Sequence, residues 1–519
     1  MRLKLASRKS DLARWQAVQV ARALERLPAK PAIEYLFKAS LGDQNLDVPL
    51  ASMGSKGVFT EDFYEDLVSG LCDLVVHSWK DLPVEERART HIVSTLKRAD
   101  VRDILLVPQE VWEGAQASGR LRVLTSSPRR VYNLSAILPA LLPGKPKIEF
   151  NNVRGNVPTR LGKMRDQNSA LVLAKAGLDR LLEAEQEGFL AQEEPLRSLI
   201  QNCRFVVLPL SLNPPAPAQG ALAIEAARAS ETVNALCASV CDELTFSCVQ
   251  REREVLRRYG GGCHQKIGVA VLPRDYGTVY VLRGLTDSGE HLNEFRIENS
   301  TPWGRAQTRD QVFPLEPTMN RWFVRRNLRV SEDLSAKDAL FIARAEALPP
   351  EYHPHEKQVV WTAGVRSWVK LARRGVWVHG CDEGLGESED PRLDWLAGPL
   401  NWCKLTHSQS STTRGRTPLS AGAPLAERAG GGGERGAVAT YELIPEEQAP
   451  DLRNKTHFYW MSRTAFERAK QLFPKEVTEG YNGCGPGLTH QFLQAQTGLK
   501  NRVKVFAGLE QFLSESLPA

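Results

Sequence analysis

A chain of 519 residues is longer than one hydrophobic core usually organises, and a content of 42% hydrophobic and 25% charged residues is that of a globular protein with two or more domains. The formal charge of +6, from 67 Lys and Arg against 61 Asp and Glu, is too mild for nucleic acid to be the expected partner. No apolar run approaches the roughly 20 residues of a membrane helix.

The first residues, Met1 to Arg8, place charges among apolar positions where a secretory signal keeps an unbroken apolar stretch. Leu3 and Leu5 alternate with polar neighbours as a strand does. Ser10 then stands at the cap position of a helix whose apolar face is Ala17, Val20, Ala21, Leu24 and Leu27, ended by Pro28. A second helix is expected from Thr60 to Gly70, with Glu61 and Asp62 in its first turn. Leu74 to Val76 reads as a short buried strand. Strands at 121–124, 170–174 and 205–208 and a helix at 157–165 continue an α/β rhythm, with strands too apolar to face water. From Asp242 the pattern changes to a basic helix reaching Arg257-Arg258, a triple glycine, and strands at 267–272 and 278–282, the outline of a smaller α+β domain. A polar, proline-bearing stretch around His353 to Lys357 reads as a junction to a further unit. Residues 406–436 lack the large apolar side chains of a core and read as a flexible insert.

In open α/β sheets ligands collect in loops beyond the carboxyl ends of strands, and the polar motifs of this chain fall there. The strand 74–76 runs into His77-Ser78-Trp79-Lys80-Asp81-Leu82-Pro83, a carboxylate beside a cation in a loop stiffened by proline. Such a pair can serve as an acid/base device, although a solvated ion pair is the commoner role of Lys-Asp. Gly260 to Gly262 free the backbone to bring the Cys263 thiol up to another surface, and Arg257, Arg258 and Lys266 favour its thiolate. The nine cysteines are odd in number and form no paired ladder, which fits a reducing cytoplasm. Arg8, Arg129, Arg130, Arg154 and Arg160 each follow or flank an expected strand; converging, their forked donors would hold a polyanion.

These motifs, in this order, resemble porphobilinogen deaminase (hydroxymethylbilane synthase). The likeness runs from Leu3 to about Leu272 through Ala6-Ser7-Arg8-Lys9-Ser10, Gly54-Ser55-Lys56-Gly57-Val58-Phe59, the loop 77–83, Thr125-Ser126-Ser127-Pro128-Arg129-Arg130, Arg154-Gly155-Asn156-Val157, Ala218-Gln219-Gly220-Ala221 and Gly261-Gly262-Cys263. The resemblance implies two periplasmic-binding-protein-like α/β lobes, 1–100 with 213–239 and 101–212, and a small α+β domain at 240–350. It implies one dipyrromethane cofactor per chain, held by a thioether to Cys263. Asp81 would protonate the departing amine of porphobilinogen and steady the cation that remains, over four condensations that end in hydrolysis to a linear tetrapyrrole. Lys80, Ser126, Ser127, Arg129, Arg130 and Arg154 would hold cofactor acid groups, Arg8, Ser10 and Arg160 those of the substrate, and Lys56 would lie in a mobile loop. No metal, nucleic acid or membrane is implied, and the deaminase part would be a monomer. The chain departs from the family pattern at Trp79 for a usual Met, at Leu41 for a usual Arg, and at His264-Gln265-Lys266 after the cysteine.

Residues 351–519 resemble uroporphyrinogen-III synthase. Val359 to Thr362 and Phe458 to Met461 read as strands, the latter followed by Ser462, and Gly483 to Thr489 as a loop before a helix. The chain has Arg468 where that family often has a tyrosine. Cyclisation to uroporphyrinogen III is the implied activity; an inactive appendage is the alternative. For the whole chain the competing class is a periplasmic-type anion-binding protein, which has no need of Gly260 to Cys263 and normally carries an export signal.

Overall fold

The computed structural model describes residues 1–39, 61–190, 194–260, 265–386, 390–409, 436–499 and 502–518, so Lys56, Cys263 and the other residues of those two loops lie outside the described residues. The chain divides into two compact units. The first comprises 1–139, 145–273 and 281–294, and the second 140–144, 274–280 and 295–519.

In the first unit the strands are β1 Arg2–Arg8, β2 Ala32–Lys38, β3 Leu74–Ser78, β4 Thr90–Ser94, β5 Asp103–Pro108, β6 Arg120–Leu124, β7 Lys147–Asn151, β8 Ala170–Ala174, β9 Cys203–Val207 and β10 Leu222–Ala227. The helices are α1 Asp11–Glu25, α2 Glu61–Ser69, α3 Gln109–Ser118, α4 Pro128–Leu141, α5 Val157–Asp166, α6 Lys175–Gln186, α7 Leu196–Ile200, α8 Glu231–Ala238 and α9 Glu243–Arg258.

Two sheets result, ordered β2-β1-β3-β10-β4 and β7-β6-β8-β5-β9. They share one plan. In the first, β1 pairs in parallel with β2 and β3, while β10 runs antiparallel to β3 and β4. In the second, β6 pairs in parallel with β7 and β8, while β5 runs antiparallel to β8 and β9. The antiparallel strand of each sheet is the one the chain enters on crossing from the other lobe. Residues 95–102 and 208–221 are those crossings.

The apolar face read from the sequence builds the core of the first lobe. Ala17, Val20, Ala21 and Leu24 are fully buried against Leu3, Leu5, Leu74 and Ile224. Ser10 precedes α1, but its hydroxyl makes no cap bond; its carbonyl accepts from the Arg14 amide at 2.9 Å. The expected side-chain cap at Ser10 is therefore corrected to a backbone start.

After α9 the strands β11 Gly268–Arg274, β12 Gly277–Leu285 and β13 His291–Glu298 form a three-stranded sheet in chain order. The second unit then continues with β14 Val312–Phe313, β15 Phe323–Asn327, β16 Ala339–Ile342, β17 Val359–Thr362, β18 Gly380–Cys381, β19 Trp402–His407, β20 Gly436–Pro445, β21 His457–Trp460, β22 Tyr481–Cys484 and β23 Val503–Val505. One sheet is ordered β15-β20-β19-β16-β17-β18 and the other, wholly parallel, β14-β21-β22-β23.

This corrects the expected boundary near residue 350. Ala339 to Ile342 pair in parallel with Val359 to Thr362, so strands on both sides of residue 350 belong to one sheet, and the second unit takes in Phe295 onward. The proline-bearing stretch that reads as a junction is the connection between two neighbouring parallel strands, which needs a long crossover. The expected insert also narrows: Thr406 and His407 belong to β19 and Gly436 to β20, while 410–435 lie outside the described residues.

Candidate active site

The loop after β3 is shaped by what lies beneath it. Leu74 to Val76 are buried because the sheet is covered on both faces. Ser78 Oγ at the strand's end donates to Gln16 Oε1 of α1 at 3.0 Å. A single 3-10 turn, Trp79–Asp81, follows; the Trp79 amide donates to Ala221 O at 3.1 Å and the Leu82 amide to Trp79 O at 3.2 Å. The Trp79 ring is 2% exposed and meets Phe246 of α9 at 5.2 Å between centroids. Trp79 and Leu82 pack with Ala218, Ala221, Ala223 and Val249. Lys80 and Asp81 lie between the buried Trp79 and the partly buried Leu82, and Asp81 is exposed.

Lys80 Nζ lies 3.4 Å from Gln219 Oε1. Burial pushes the Lys80 ammonium below its ordinary value; Asp81 and Asp103 act to raise it, Arg130 and Arg129 to lower it further. The Arg160 guanidinium is lowered by burial first and by Arg130 and Arg154, with Asp81 pulling the other way. The field of Asp81 thus reaches cations of both lobes.

Beside this turn is a carboxylate that the sequence did not advertise. Asp103, the first residue of β5, is fully buried. Its oxygens accept from Arg129 Nη2 at 2.9 Å, Arg130 Nη2 at 2.7 Å and Nε at 3.0 Å, Asn213 Nδ2 at 2.9 Å and Gln219 Nε2 at 2.9 Å. Burial alone would raise its pKa, but Arg129 and Arg130 hold it well below the usual carboxylate range. Arg129 Nη1 also donates to Pro214 O at 2.7 Å, and Arg130 Nη1 to Val172 O at 3.1 Å. The structure therefore places these two expected anion ligands in a buried cluster, at 4% and 7% exposure, with donors committed to the protein.

The other expected residues stand at neighbouring strand ends. Ser126 Oγ bridges to the backbone of Val153, accepting from its amide at 3.0 Å and donating to its carbonyl. Ser127 Oγ accepts from the Arg130 amide at 3.4 Å as α4 begins. Arg154 and Arg160 flank the start of α5, where Asn156 Oδ1 caps by accepting from the Thr159 amide at 2.9 Å, and Arg160 Nε donates to Gly155 O at 2.7 Å. Arg8 is half-buried at the end of β1, and Ser10 opens α1. Lys80, Arg8, Arg154 and Arg160 are cations of the kind suited to a ligand bearing several carboxylates, while the Ser126 hydroxyl gives its proton to Val153 O. Downstream, α9 ends at Arg258 and Gly260 takes φ +94, which favours glycine, before the loop that carries Cys263.

The family profile described as porphobilinogen deaminase, dipyromethane cofactor binding domain, matches residues 3–235. The chain is 36% identical to the porphobilinogen deaminase of Moorella thermoacetica over 287 residues, 55% of this chain and 83% of that protein. The chain belongs to the porphobilinogen deaminase family. Its likeness to the deaminase of Bordetella parapertussis is 36% over 308 residues, 59% of this chain and 89% of that protein, and to that of Paraburkholderia phymatum 33% over 344 residues, 66% and 93%. The deaminase cofactor is dipyrromethane; its acid side chains call for cations, and Lys80 and Arg160, on which the charge of Asp81 acts, are of that kind. Among the described residues no helix is long and apolar enough to cross a membrane.

Proposed function

We propose that the first unit condenses four porphobilinogen molecules head to tail, with release of four ammonia molecules and hydrolysis to linear hydroxymethylbilane, and that Asp81 is its acid/base. The observation that carries this reading is an exposed carboxylate on a rigid turn, facing cations of both lobes, while the neighbouring Asp103 is already neutralised by Arg129 and Arg130. A carboxylic acid at position 81 can protonate the leaving amine, and as carboxylate it then offsets the positive charge left on the pyrrole. Arg8, Ser10 and Arg160 are assigned to the acid groups of porphobilinogen. Lys80, Ser126, Ser127 and Arg154 are assigned to those of the dipyrromethane, with Arg129 and Arg130 contributing field and the shape of that wall. Bound through Cys263, the dipyrromethane supplies the pyrrole carbon to which the first substrate is joined. Lys56 belongs to a loop assigned to cover the reaction from water.

The intact mass of the purified chain should exceed its sequence mass by one dipyrromethane, and Cys263→Ala should remove the increment. A fully active chain of unmodified mass contradicts the assignment.

A second reading concerns the second unit, that it cyclises the linear product to uroporphyrinogen III. What supports it is a cavity of about 340 Å³ lined by Arg321, Arg325, Arg344, His407, Tyr441 and Ser462, a cationic wall without Asp or Glu among its described lining residues. The isomer formed from porphobilinogen tests it. Type III product supports the cyclase; type I alone leaves the unit an inactive appendage.

A further inference from the structure

Each carbonyl at the ends of a tight turn needs a donor, and a buried one left without costs about 1–3 kcal/mol. In the turn that carries Lys80 and Asp81, Trp79 O accepts from the Leu82 amide, and one side chain supplies further donors to it and to the carbonyls that follow. Arg253, in the middle of α9, donates through Nη1 to Trp79 O at 3.4 Å and Leu82 O at 3.2 Å, and through Nη2 to Pro83 O. These three carbonyls bracket Lys80-Asp81. Burial, with Arg257 beside it, pushes the Arg253 guanidinium down to about 10 and Glu85 pulls it up, so it stays charged at neutral pH.

The helix that presents Arg253 is itself held in place by the preceding residue. Glu252 is fully buried and accepts from Arg98 Nη1 at 2.6 Å and Nη2 at 2.7 Å, from the Ala218 amide at 2.7 Å and from the Val271 amide at 2.7 Å. Arg98 Nε donates in turn to Gln219 O at 2.9 Å, and the Gln219 side chain meets Lys80 and Asp103. Phe246, on the same helix, packs at a tilt against the Trp79 ring.

We propose that Arg253 is a positioning residue for the deaminase reaction: its fork on the carbonyls of Trp79, Leu82 and Pro83 fixes the turn that aims Asp81. Lysine cannot replace it fully, because an ammonium is a point donor where three carbonyls are spread over one fork. The proposal rests on Asp81 being the acid/base.

The test uses the full, cofactor-loaded chain. Arg253→Gln should lower kcat per folded molecule by about tenfold to a hundredfold with KM for porphobilinogen changed far less, as misplacing a reacting group does. Arg253→Lys should fall between it and the parent. An unchanged kcat in either folded variant overturns the proposal, and so does a loss confined to KM. Should neither variant fold, hydrogen exchange of the unmutated protein decides: the Leu82 amide, which donates to Trp79 O only while the turn is held, must be protected, and its exchange at the rate of an open loop overturns the proposal. Asp81→Asn run in parallel separates the two failures. If it is near-normal, the acid/base reading and this one both fall. If it is inactive while Arg253→Gln keeps its kcat, only the positioning role falls.

Discussion

Both units gather arginines, the first at strand ends and the second on and beside strands, but they treat them differently. In the first unit the innermost pair, Arg129 and Arg130, is bound to a buried carboxylate, Asp103, and a second carboxylate, Asp81, is left exposed among the remaining cations. In the second unit Arg325 and Arg344 act on each other and on His407 and Tyr441, and the described cavity lining contains no acid. The first arrangement can hold an anion and also move a proton. The second can bind and orient an anion, with only neutral or cationic groups as donors. Local charge balance, rather than the number of arginines, separates a site able to do acid/base work from one able to clamp.

The comparison breaks most readily at Asp103. Replacing it by Asn leaves two guanidinium groups buried without their counter-ion and should cost about 3–5 kcal/mol in urea unfolding. Because the folded pKa of Asp103 is depressed, its stabilisation is in place above the ordinary carboxylate value of about 3.9 and is lost as pH falls toward the folded value. The stability gap between parent and Asp103→Asn should therefore hold at neutral pH and close in strong acid; a gap that stays constant would mean that the ion pairs are not its source.

A smaller effect is expected in the second unit. Arg344→Gln should weaken binding of uroporphyrin, used as a polycarboxylate probe, by about tenfold, the worth of one charge-assisted hydrogen bond, while deaminase turnover is unchanged. Titration of the probe followed by fluorescence measures it, and unaltered affinity would show that this cavity is not an anion clamp.

His407 sharpens the contrast further. Burial first, then Lys404, Arg344 and Arg325, lower its pKa, so it is neutral at pH 7 and gains charge only below its ordinary 6.5. Probe affinity should rise a few-fold as pH falls through that lower range, and His407→Gln should flatten the rise. Least costly is Asn156→Ala, which removes the cap of α5 and should cost about 1 kcal/mol by thermal unfolding.

The loop 77–83 was legible because a short apolar strand ending in a charged, proline-closed segment has few other readings. Asp103 was not, since an acid beside Arg102 reads as solvated; the available signal was an aspartate opening the wholly apolar run Ile104 to Val107. Glu252 and Arg253 were hidden in the same way, within a basic amphipathic helix whose charges are mostly exposed. The boundary at 350 misled because parallel pairing of β16 with β17 is non-local, and its connection carries the composition of a linker. What the sequence alone could locate was chemistry at strand ends; which charges those strands bury depended on tertiary pairing.

The central claim is tested most directly by turnover of Asp81→Asn measured on protein whose intact mass verifies a full dipyrromethane complement. The account predicts that the mass increment stays and that turnover falls by about 10²-fold or more, the loss expected of a missing general acid. Near-normal turnover in the fully loaded variant would contradict it.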